Sequence, residues 1–363
     1  MRKAYKYRLF PTNAQHQALD AQLGEACRLY NVALQERRDA YQKSGVSLNY
    51  YDQANQLKEI RNAGDCALAN FSACQDILRR VEKTFKAFFR RVNAGQKAGY
   101  PRFKSRRRFD SYTLPSYGDG CRLIGSRLYV QGVGHLKVKL HRPVDGAIKT
   151  ITVKRACGKW YACFSVEVDG ELLPATDTHT GIDAGLTAFA TLADGTAIDN
   201  PRYYKRAQAK LRLAQRRVAR RKRGGKNRRK AVLLLQKAHA KIKNQRADFQ
   251  HKVARQLVNA YGMIAVEDLN IKGLASGMLA KSVNDAGWSG FISKLTHKAA
   301  EAGRKLVHVD PRGTSQACLC GAAVRKPLAQ RWHQCPECGL SAARDHVSAQ
   351  LILSLGLRLL GLT

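Results

Sequence analysis

Acidic residues are the clearest shortage in this sequence. Its 363 residues include 27 Asp and Glu against 64 Lys and Arg, which gives a formal net charge of +37. A charge of that size opposes compact folding by self-repulsion unless an anionic partner neutralises it. Nucleic acid is the commonest such partner, because its phosphates bind Lys and Arg. The composition therefore predicts a nucleic-acid-binding protein.

Several other features are missing. No stretch reaches the roughly 20 apolar residues that span a bilayer, and the basic N-terminus lacks an apolar signal region. We therefore expect a cytoplasmic, nucleoid-associated protein with no membrane partner. The absence of a P-loop, a G-x-G-x-x-G loop and an H-E-x-x-H helix leaves ATP-driven, dinucleotide and metalloprotease chemistry without support. Without a secretion signal, most of the ten cysteines are expected to be buried thiols or metal ligands.

The first half of the chain predicts helices inserted into a β module. Residues 1–10 predict a strand, and Thr12-x-x-Gln15 is a capping box that opens a helix. Apolar residues recur at helical spacing through residues 11–92, and those near the end are expected to face inward (Leu78, Val81, Phe85, Phe88, Phe89). From Gly99, alternating apolar and polar residues between turns predict antiparallel strands that pair with the first strand. A boundary is expected near 173–174.

The second half carries a long basic stretch between short apolar strands. Residues 202–246 contain 19 Lys or Arg and no Asp or Glu, and Gly224-Gly225 divides them into two predicted helices. Runs of charge are usually solvated helix faces. Because the sign never alternates here, ion pairing within the helices cannot be the purpose, and nucleic-acid contact is favoured.

Three carboxylates stand where strands end or a helix begins. Asp183 lies in the strand of a predicted hairpin, Glu267 ends the apolar strand 263–267, and Asp345 opens an apolar helix. Each has a simpler interpretation, as a turn aspartate, a strand-end acid or an N-cap. Together they suit two Mg²⁺ ions for phosphodiester hydrolysis, since Mg²⁺ takes oxygen ligands and carboxylates repel one another without it.

Two cysteine pairs predict a structural zinc site. Cys335-x-x-Cys338 has the usual spacing, whereas Cys318-x-Cys320 is one residue short. His333 or His346 is therefore kept as a possible replacement ligand, and a metal-free cysteine cluster is the alternative.

Aromatic residues alternate with basic ones in Phe88-Phe89-Arg90-Arg91 and in Tyr100-Pro101-Arg102-Phe103-Lys104. Such residues stack on unpaired bases in some proteins and fill the core in others, and the sequence leaves both possibilities open.

The ordered combination of motifs resembles the TnpB family, transposon-encoded RNA-guided DNA endonucleases related to type V CRISPR effectors. The matching segments span nearly the whole chain and include Tyr7-Arg8-Leu9-Phe10-Pro11, Tyr100-Pro101-Arg102-Phe103-Lys104, Gly181-Ile182-Asp183-Ala184-Gly185, Asp248-Phe249-x-His251-Lys252, Val266-Glu267-Asp268-Leu269, Asp285-Ala286-Gly287-Trp288, Thr314-Ser315-Gln316-x-Cys318, the second cysteine pair and Arg344-Asp345.

The resemblance implies an α+β multidomain fold. It comprises an antiparallel, barrel-like wedge module (1–10 and 93–173), an inserted helical recognition lobe (11–92), an RNase H-like (RuvC) nuclease domain (174–313 and 339–363) and an inserted zinc element (314–338). Asp183, Glu267 and Asp345 would hold two catalytic Mg²⁺ ions, and Cys318, Cys320, Cys335 and Cys338 a structural Zn²⁺. The partners would be a guide RNA from the transposon end, one protein copy per guide, and double-stranded DNA beside a short motif in a bacterial or archaeal cell.

The chain departs from the family pattern after the third acid, where Val347 and Leu351 stand at positions that are Asn in the family. A guide-bound DNA-binding protein without cleavage activity is therefore the alternative. A transposase accessory protein is a further alternative. A strand-transferring transposase ranks last, because nothing resembles a Tyr or Ser recombinase centre.

Overall fold

The computed structural model of the protein describes residues 1–170, 172–327 and 329–362. Its contacts divide the chain into two compact units, Met1–Asp169 and Gly170–Thr363. Within the described residues, no helix is both long enough and apolar enough to cross a membrane.

The first unit is built around an antiparallel sheet of seven strands. Its strand order is β2-β6-β7-β1-β5-β4-β3, so the N-terminal strand lies in the middle, between β7 and β5. The first strand thus pairs with two later strands of the β module, and α1, α2 and α3 lie between them in the sequence. Among the described residues the edge strands β2 and β3 do not pair with each other. The bounds are β1 Arg2–Phe10, α1 Asn13–Ser44, α2 Tyr50–Asn62, α3 Phe71–Asn93, β2 Ser111–Leu114, β3 Cys121–Ile124, β4 Arg127–Val130, β5 Gly134–Lys139, β6 Ala147–Ala156 and β7 Lys159–Glu167.

The first helix of this unit begins where the sequence predicts. Thr12 caps α1: its side chain accepts from the Gln15 backbone N–H, and the Gln15 side chain accepts from the Thr12 backbone N–H. The inward face of α1 is buried, from Leu19 to Leu34, as its spacing predicts. The expectation for α3 is wrong at one residue, because Leu78 and Val81 are buried but Phe89 is 53% exposed. Helical spacing identifies a stripe but not how far a neighbouring element covers it.

The second unit contains a mixed sheet of five strands in the order β10-β9-β8-β11-β12. The hairpin strands pair antiparallel, whereas β8, β11 and β12 run parallel. Asp194-Gly195 forms the predicted turn between β9 and β10, with Gly195 at a positive φ of 85°. The bounds are β8 His179–Asp183, β9 Ala188–Leu192, β10 Ala197–Asp199, α4 Tyr203–Ala219, α5 Lys226–Ala260, β11 Met263–Glu267, α6 Ile271–Leu274, α7 Ala280–Ala286, α8 Trp288–Ala302, β12 Lys305–Val309, β13 Trp332–Gln334, β14 Ser341–Ala343 and α9 Arg344–Leu359.

Helices cover both faces of this sheet. Ile264 and Val266 of β11 belong to the apolar cluster formed with α5 and α8. Met263 and Ala265, which point the opposite way, pack with Ile352 of α9. At Gly181 of β8 the approach of α9 is so close that a Cβ would lie 2.2 Å from the Ala349 carbonyl oxygen. The α9 face of the sheet is therefore tightly packed.

Candidate functional site

Asp183 and Glu267 lie at the carboxyl ends of adjacent parallel strands. Ile182 of β8 pairs with Val266 of β11, so the next residue of each strand is one of these carboxylates. Strand side chains alternate, which puts Asp183 on the face of Gly181 and Glu267 on the face of Ala265. Gly181 and Ala265 both pack against α9. Both carboxylates thus face α9 at one edge of the sheet.

Asp345 belongs to the first turn of α9. The N-cap position is Ala343, which makes no side-chain capping bond, so Asp345 does not serve as the N-cap that the sequence left possible. One helical turn separates Asp345 from Ala349, the residue against which Gly181 packs. The same face of α9 therefore carries Asp345 towards the ends of β8 and β11.

Electrostatics shows that the three carboxylates share one environment. Burial, together with the charges of Glu267 and Asp345, raises the pKa of Asp183 to about 7 against the opposing effect of Arg344 and Arg331. Burial also raises the pKa of Glu267. A cluster of this kind is costly as free carboxylates and gains from a bound cation. The oxygen donors and their mutual repulsion fit Mg²⁺.

Three side chains from residues 314–344 contact or approach this cluster. The Thr314 hydroxyl donates to Glu267 Oε1 at 2.5 Å and lowers the pKa of that carboxyl, opposing the effect of burial. Arg331 Nη1 lies 3.8 Å from Asp345 Oδ1. The buried Arg344 donates to the Pro327 and Gln330 carbonyls. One chain segment thus contacts two of the three carboxylates, Glu267 and Asp345.

The raised pKa of Asp183 predicts a pH-dependent stability in the absence of divalent cations. The ordinary pKa of Asp is 3.8, so between about pH 4 and 7 the folded chain retains a proton that the unfolded chain releases. This contribution to stability is complete below pH 4 and is lost as the pH rises through 7. In chelator, Asp183→Asn should unfold at a higher temperature than the unsubstituted chain, by a margin that grows from pH 4 to 7. A margin that is constant with pH in thermal melts would contradict the shared environment.

The four cysteine thiols converge despite the short first pair. Cys318 Sγ lies 3.6 Å from Cys338 Sγ, and Cys320 Sγ lies 3.7 Å from Cys335 Sγ. Tetrahedral zinc with Zn–S bonds of about 2.3 Å separates its sulfur atoms by about 3.8 Å, so the spacing fits. Within the described residues, this is the one set of at least three metal-ligating side chains whose ligand atoms all lie within 4.8 Å of one another.

Neither histidine is needed as a replacement ligand. His333 is fully buried, and its Nδ1 contacts the Lys326 ammonium. His346 Nε2 lies 3.1 Å from the Ala193 carbonyl oxygen. The short C-x-C pair still brings both of its sulfur atoms into the cluster.

One chain segment connects the cysteine cluster with the carboxylate cluster. From Thr314 at Glu267, the chain passes to Gln316, whose side chain bonds the backbone of Lys326 through both its amide nitrogen and its oxygen. Cys318 lies two residues after Gln316. Arg331 lies between the two cysteine pairs in the sequence, and its Nη1 approaches Asp345. The fold of the cysteine loop therefore sets the positions of two groups at the carboxylates.

The basic stretch forms the helical hairpin of α4 and α5. Of its 19 Lys and Arg, 17 are exposed. The other two have structural partners: Arg228 donates to the Val218 and Arg221 carbonyls, and Arg246 to those of Asn284 and Asp285. Asp285 in turn accepts from the backbone of Tyr204 and Lys205 and so caps α4. The exposed cations of the stretch are accessible to phosphates, which accept hydrogen bonds from Lys and Arg side chains.

Sequence reasoning did not identify Thr314 or Arg331 as site residues. Thr314 belongs to the segment Thr314-Ser315-Gln316-x-Cys318, which carries the resemblance, but nothing local connects it with a carboxylate 47 residues away. Arg331 is one of many basic residues in the chain. Only the path of the cysteine loop distinguishes either of them.

Three family descriptions match segments of the chain. Residues 162–277 match OrfB_IS605, "Probable transposase", and residues 288–352 match "Cas12f1-like, TNB domain". Residues 1–45 match "Helix-turn-helix domain", although here they form one strand and one long helix, β1 and α1.

Two relatives align with nearly the whole chain. "Putative RNA-guided DNA endonuclease" of Streptomyces pristinaespiralis is 33% identical over 98% of this chain and 90% of its own length. "Putative RNA-guided DNA endonuclease InsQ" of Escherichia coli (strain K12) is 30% identical over 98% of this chain and 92% of its own. "CRISPR-associated endodeoxyribonuclease Cas12f1" of Sulfoacidibacillus thermotolerans is 28% identical over 53% of this chain and 50% of its own.

Solved structures share the fold at low identity. The Cas12f1 chain of a Cas12f1-sgRNA-target DNA complex has a TM-score of 0.62 and 14% identity, covering 97% of this chain and 98% of that one. The endonuclease CRISPR-Cas_phi3 has a TM-score of 0.51 and 10% identity, covering 98% and 92%. The chain thus has the mixed α and β fold of these effectors.

Proposed function

Since this chain belongs to the TnpB family of OrfB_IS605 proteins, we propose that it is an RNA-guided DNA endonuclease. The observation that carries the proposal is the placement of Asp183, Glu267 and Asp345 at one edge of the sheet in the second unit. Relatives aligned over nearly the whole chain are named for this activity. The purified chain with its copurifying RNA should cleave matching DNA when Mg²⁺ is present. DNA of the same length whose sequence does not match that RNA should stay intact.

We assign the five-stranded sheet with α5, α8 and α9 to an RNase H-like (RuvC) nuclease domain. Its order, β10-β9-β8-β11-β12, starts with an antiparallel hairpin and continues in parallel strands, with helices on both faces. In the proposed organisation, residues 174–313 and 339–363 form this domain and 314–338 its zinc element. Residues 1–10 and 93–173 form the wedge module, and 11–92 form the recognition lobe.

In the proposed mechanism, Asp183, Glu267 and Asp345 hold two Mg²⁺ ions. Bound Mg²⁺ supplies Lewis-acid activation of water and stabilises the leaving oxygen of the phosphodiester. The chain's own residues set up this site: partial burial disfavours the free carboxylates, Thr314 fixes one oxygen of Glu267, and Arg344 offsets the negative charge. Cys318, Cys320, Cys335 and Cys338 hold a structural zinc.

The proposed partners follow from the charge. A guide RNA from the transposon end and a double-stranded target DNA present a long array of phosphates, to which the 17 exposed cations of residues 202–246 are suited. Base pairing by the guide selects the target, and the protein reads a short adjacent motif. One chain would act with each guide RNA, in the bacterial or archaeal cytoplasm close to the nucleoid.

Thr314→Val should weaken divalent cation binding about 10-fold to 100-fold. Valine keeps the shape of threonine but removes the hydroxyl that holds Glu267, and losing a partner of a metal-binding side chain has an effect of this size. Calorimetric titration with Mn²⁺ measures the affinity, and the Mg²⁺ dependence of cleavage gives a second reading. Thr314→Ser keeps the hydroxyl and is the matched control. Equal Mn²⁺ affinities in the Val and Ser variants would rule out this role for Thr314.

A binding protein that does not cut DNA remains the second candidate. Val347 is buried and, like Leu351, offers no oxygen or nitrogen ligand on α9, so three carboxylates alone would hold the cations. The unsubstituted ribonucleoprotein decides between the two: retention of matched DNA without any cleavage in Mg²⁺ or Mn²⁺ would favour the binding protein.

A further inference from the structure

A second basic stretch, in the first unit, surrounds an exposed aromatic cluster. Residues 83–109 contain ten Lys or Arg and no Asp or Glu. Within this stretch the rings of Phe85, Phe88, Phe89 and Tyr100 contact one another, with centroids 5.2 to 6.4 Å apart. They line a cavity of about 430 Å³ together with Arg37 and Glu82. We call this cavity the aromatic pocket.

The aromatic pocket is open to solvent. Phe89 is 53% exposed and Tyr100 48%, and Tyr41 of α1, also in the lining, is 67% exposed. Three large, half-exposed rings beside one cavity form an apolar patch of the kind that marks a binding site. Phe85 is partly buried against the core of the unit, which fixes the base of the cluster.

Arg37 contributes an unused donor to the lining. The side chain is only 6% exposed; its Nε donates to Gln53 Oε1 at 2.8 Å and its Nη1 to Glu82 Oε2 at 2.7 Å. Its Nη2 is buried and has no hydrogen-bond partner among the described residues. A buried guanidinium N–H without an acceptor is costly, so a small shift of the Arg37 side chain that exposes Nη2 to an oxygen acceptor in the pocket is favoured.

Glu82 decides which part of a nucleotide fits. Burial alone would raise its pKa, but hydrogen bonds and charge from Arg37 and Lys86 outweigh burial and lower it. The carboxylate is therefore ionised at neutral pH and competes with a phosphate for Arg37 and Lys86, the two cations of the lining. A neutral base stacks on the rings without displacing that carboxylate, while its flanking phosphates are attracted to the other basic residues of 83–109.

We propose that the aromatic pocket takes one unpaired RNA base bearing a carbonyl oxygen, stacked on the aromatic rings and accepting a hydrogen bond from Arg37 Nη2. The inference rests on the guide RNA of the proposed function. Unpaired, splayed bases are what proteins recognise in RNA by stacking and base-edge hydrogen bonds. In target DNA only the strand that the guide displaces is unpaired, and the second test distinguishes that strand from RNA.

The first test measures binding of a short oligouridine RNA to the full chain. Phe89→Leu removes the ring but keeps an apolar side chain at an exposed position. It should weaken binding about 10-fold, which is near the low end of the effect of losing one stacked base. Phe89→Tyr should bind like the unsubstituted chain. The matched control is Tyr51→Leu, which removes an exposed ring of α2 that is not part of the pocket lining and should change nothing. Equal affinities for Phe89→Leu and Tyr51→Leu would overturn the proposal.

The second test identifies the source of the base. Ultraviolet crosslinking of the assembled complex with guide and target, followed by peptide mass spectrometry, should find a uridine or guanosine ribonucleotide adduct on the peptide containing Phe88 and Phe89 or on that containing Tyr100. A deoxyribonucleotide adduct there would overturn the assignment to RNA. If the chain retained no RNA at all, the proposed function itself would fail. RNA retained without loss in Phe89→Leu would refute the pocket alone.

Discussion

Asp183→Asn is expected to abolish DNA cleavage and to leave guide RNA and target DNA bound. The substitution keeps the size of the side chain but removes one of the three carboxylate charges at the sheet edge. Loss of a single well-placed electrostatic group costs on the order of 10² to 10³ in rate, and loss of a metal ligand should cost at least that much. Cleavage of matched DNA by the reconstituted ribonucleoprotein is the measurement, with target retention followed in parallel by gel shift.

Asp199→Asn is the matched control for this experiment. Asp199 is an exposed aspartate at the end of β10, in the same sheet but on the strand furthest from β11 and β12. This variant should cut at the unsubstituted rate. Cleavage by Asp183→Asn at a comparable rate would mean that the carboxylate edge is not the nuclease centre. Because target retention is measured on the same samples, a loss caused by misfolding would be visible as a loss of binding.

Periodicity made the positions of two carboxylates predictable. Glu267 ends an apolar run and Asp183 lies in a strand before a hairpin, and the parallel register of β8 and β11 then makes them neighbours. Local patterns also predicted the Thr12 capping box and the division of the basic stretch into α4 and α5. In each case the cause lies within a few residues of the effect.

Contacts made by loops were beyond such reasoning. The position of Thr314 at Glu267 depends on the whole path from β12 to the cysteine loop, and no spacing rule describes that path. Phe89 lies on the apolar stripe of α3, but its exposure depends on where α1, α2 and the segment carrying Tyr100 stop covering it. The short Cys318-x-Cys320 pair looked like a weak ligand set, yet its two sulfur atoms each approach a sulfur of the second pair.

Removing the metal from the cysteine cluster is expected to slow cleavage at least about 10-fold without releasing the RNA. Elemental analysis should find one zinc per chain, and Cys335→Ser should lose it, since three thiolates bind zinc far more weakly than four. The loop that the metal holds carries Thr314 to Glu267 and Arg331 to Asp345. Disorder of that loop would leave the carboxylates without these contacts. Cleavage should then fall by about 10-fold or more, the scale of losing a side chain that positions a metal ligand.

The contrast between two cysteine variants makes this coupling testable. Cys157→Ser alters a cysteine of the first unit, in the turn between β6 and β7 and outside the cluster, and should keep both zinc and cleavage. The exposed cations of α4 and α5 do not belong to the cysteine loop, so Cys335→Ser should still retain RNA and bind matched DNA. If Cys335→Ser lost its zinc but cut DNA at the unsubstituted rate, the carboxylates would be oriented independently of the loop, and Thr314 would not transmit its position to Glu267.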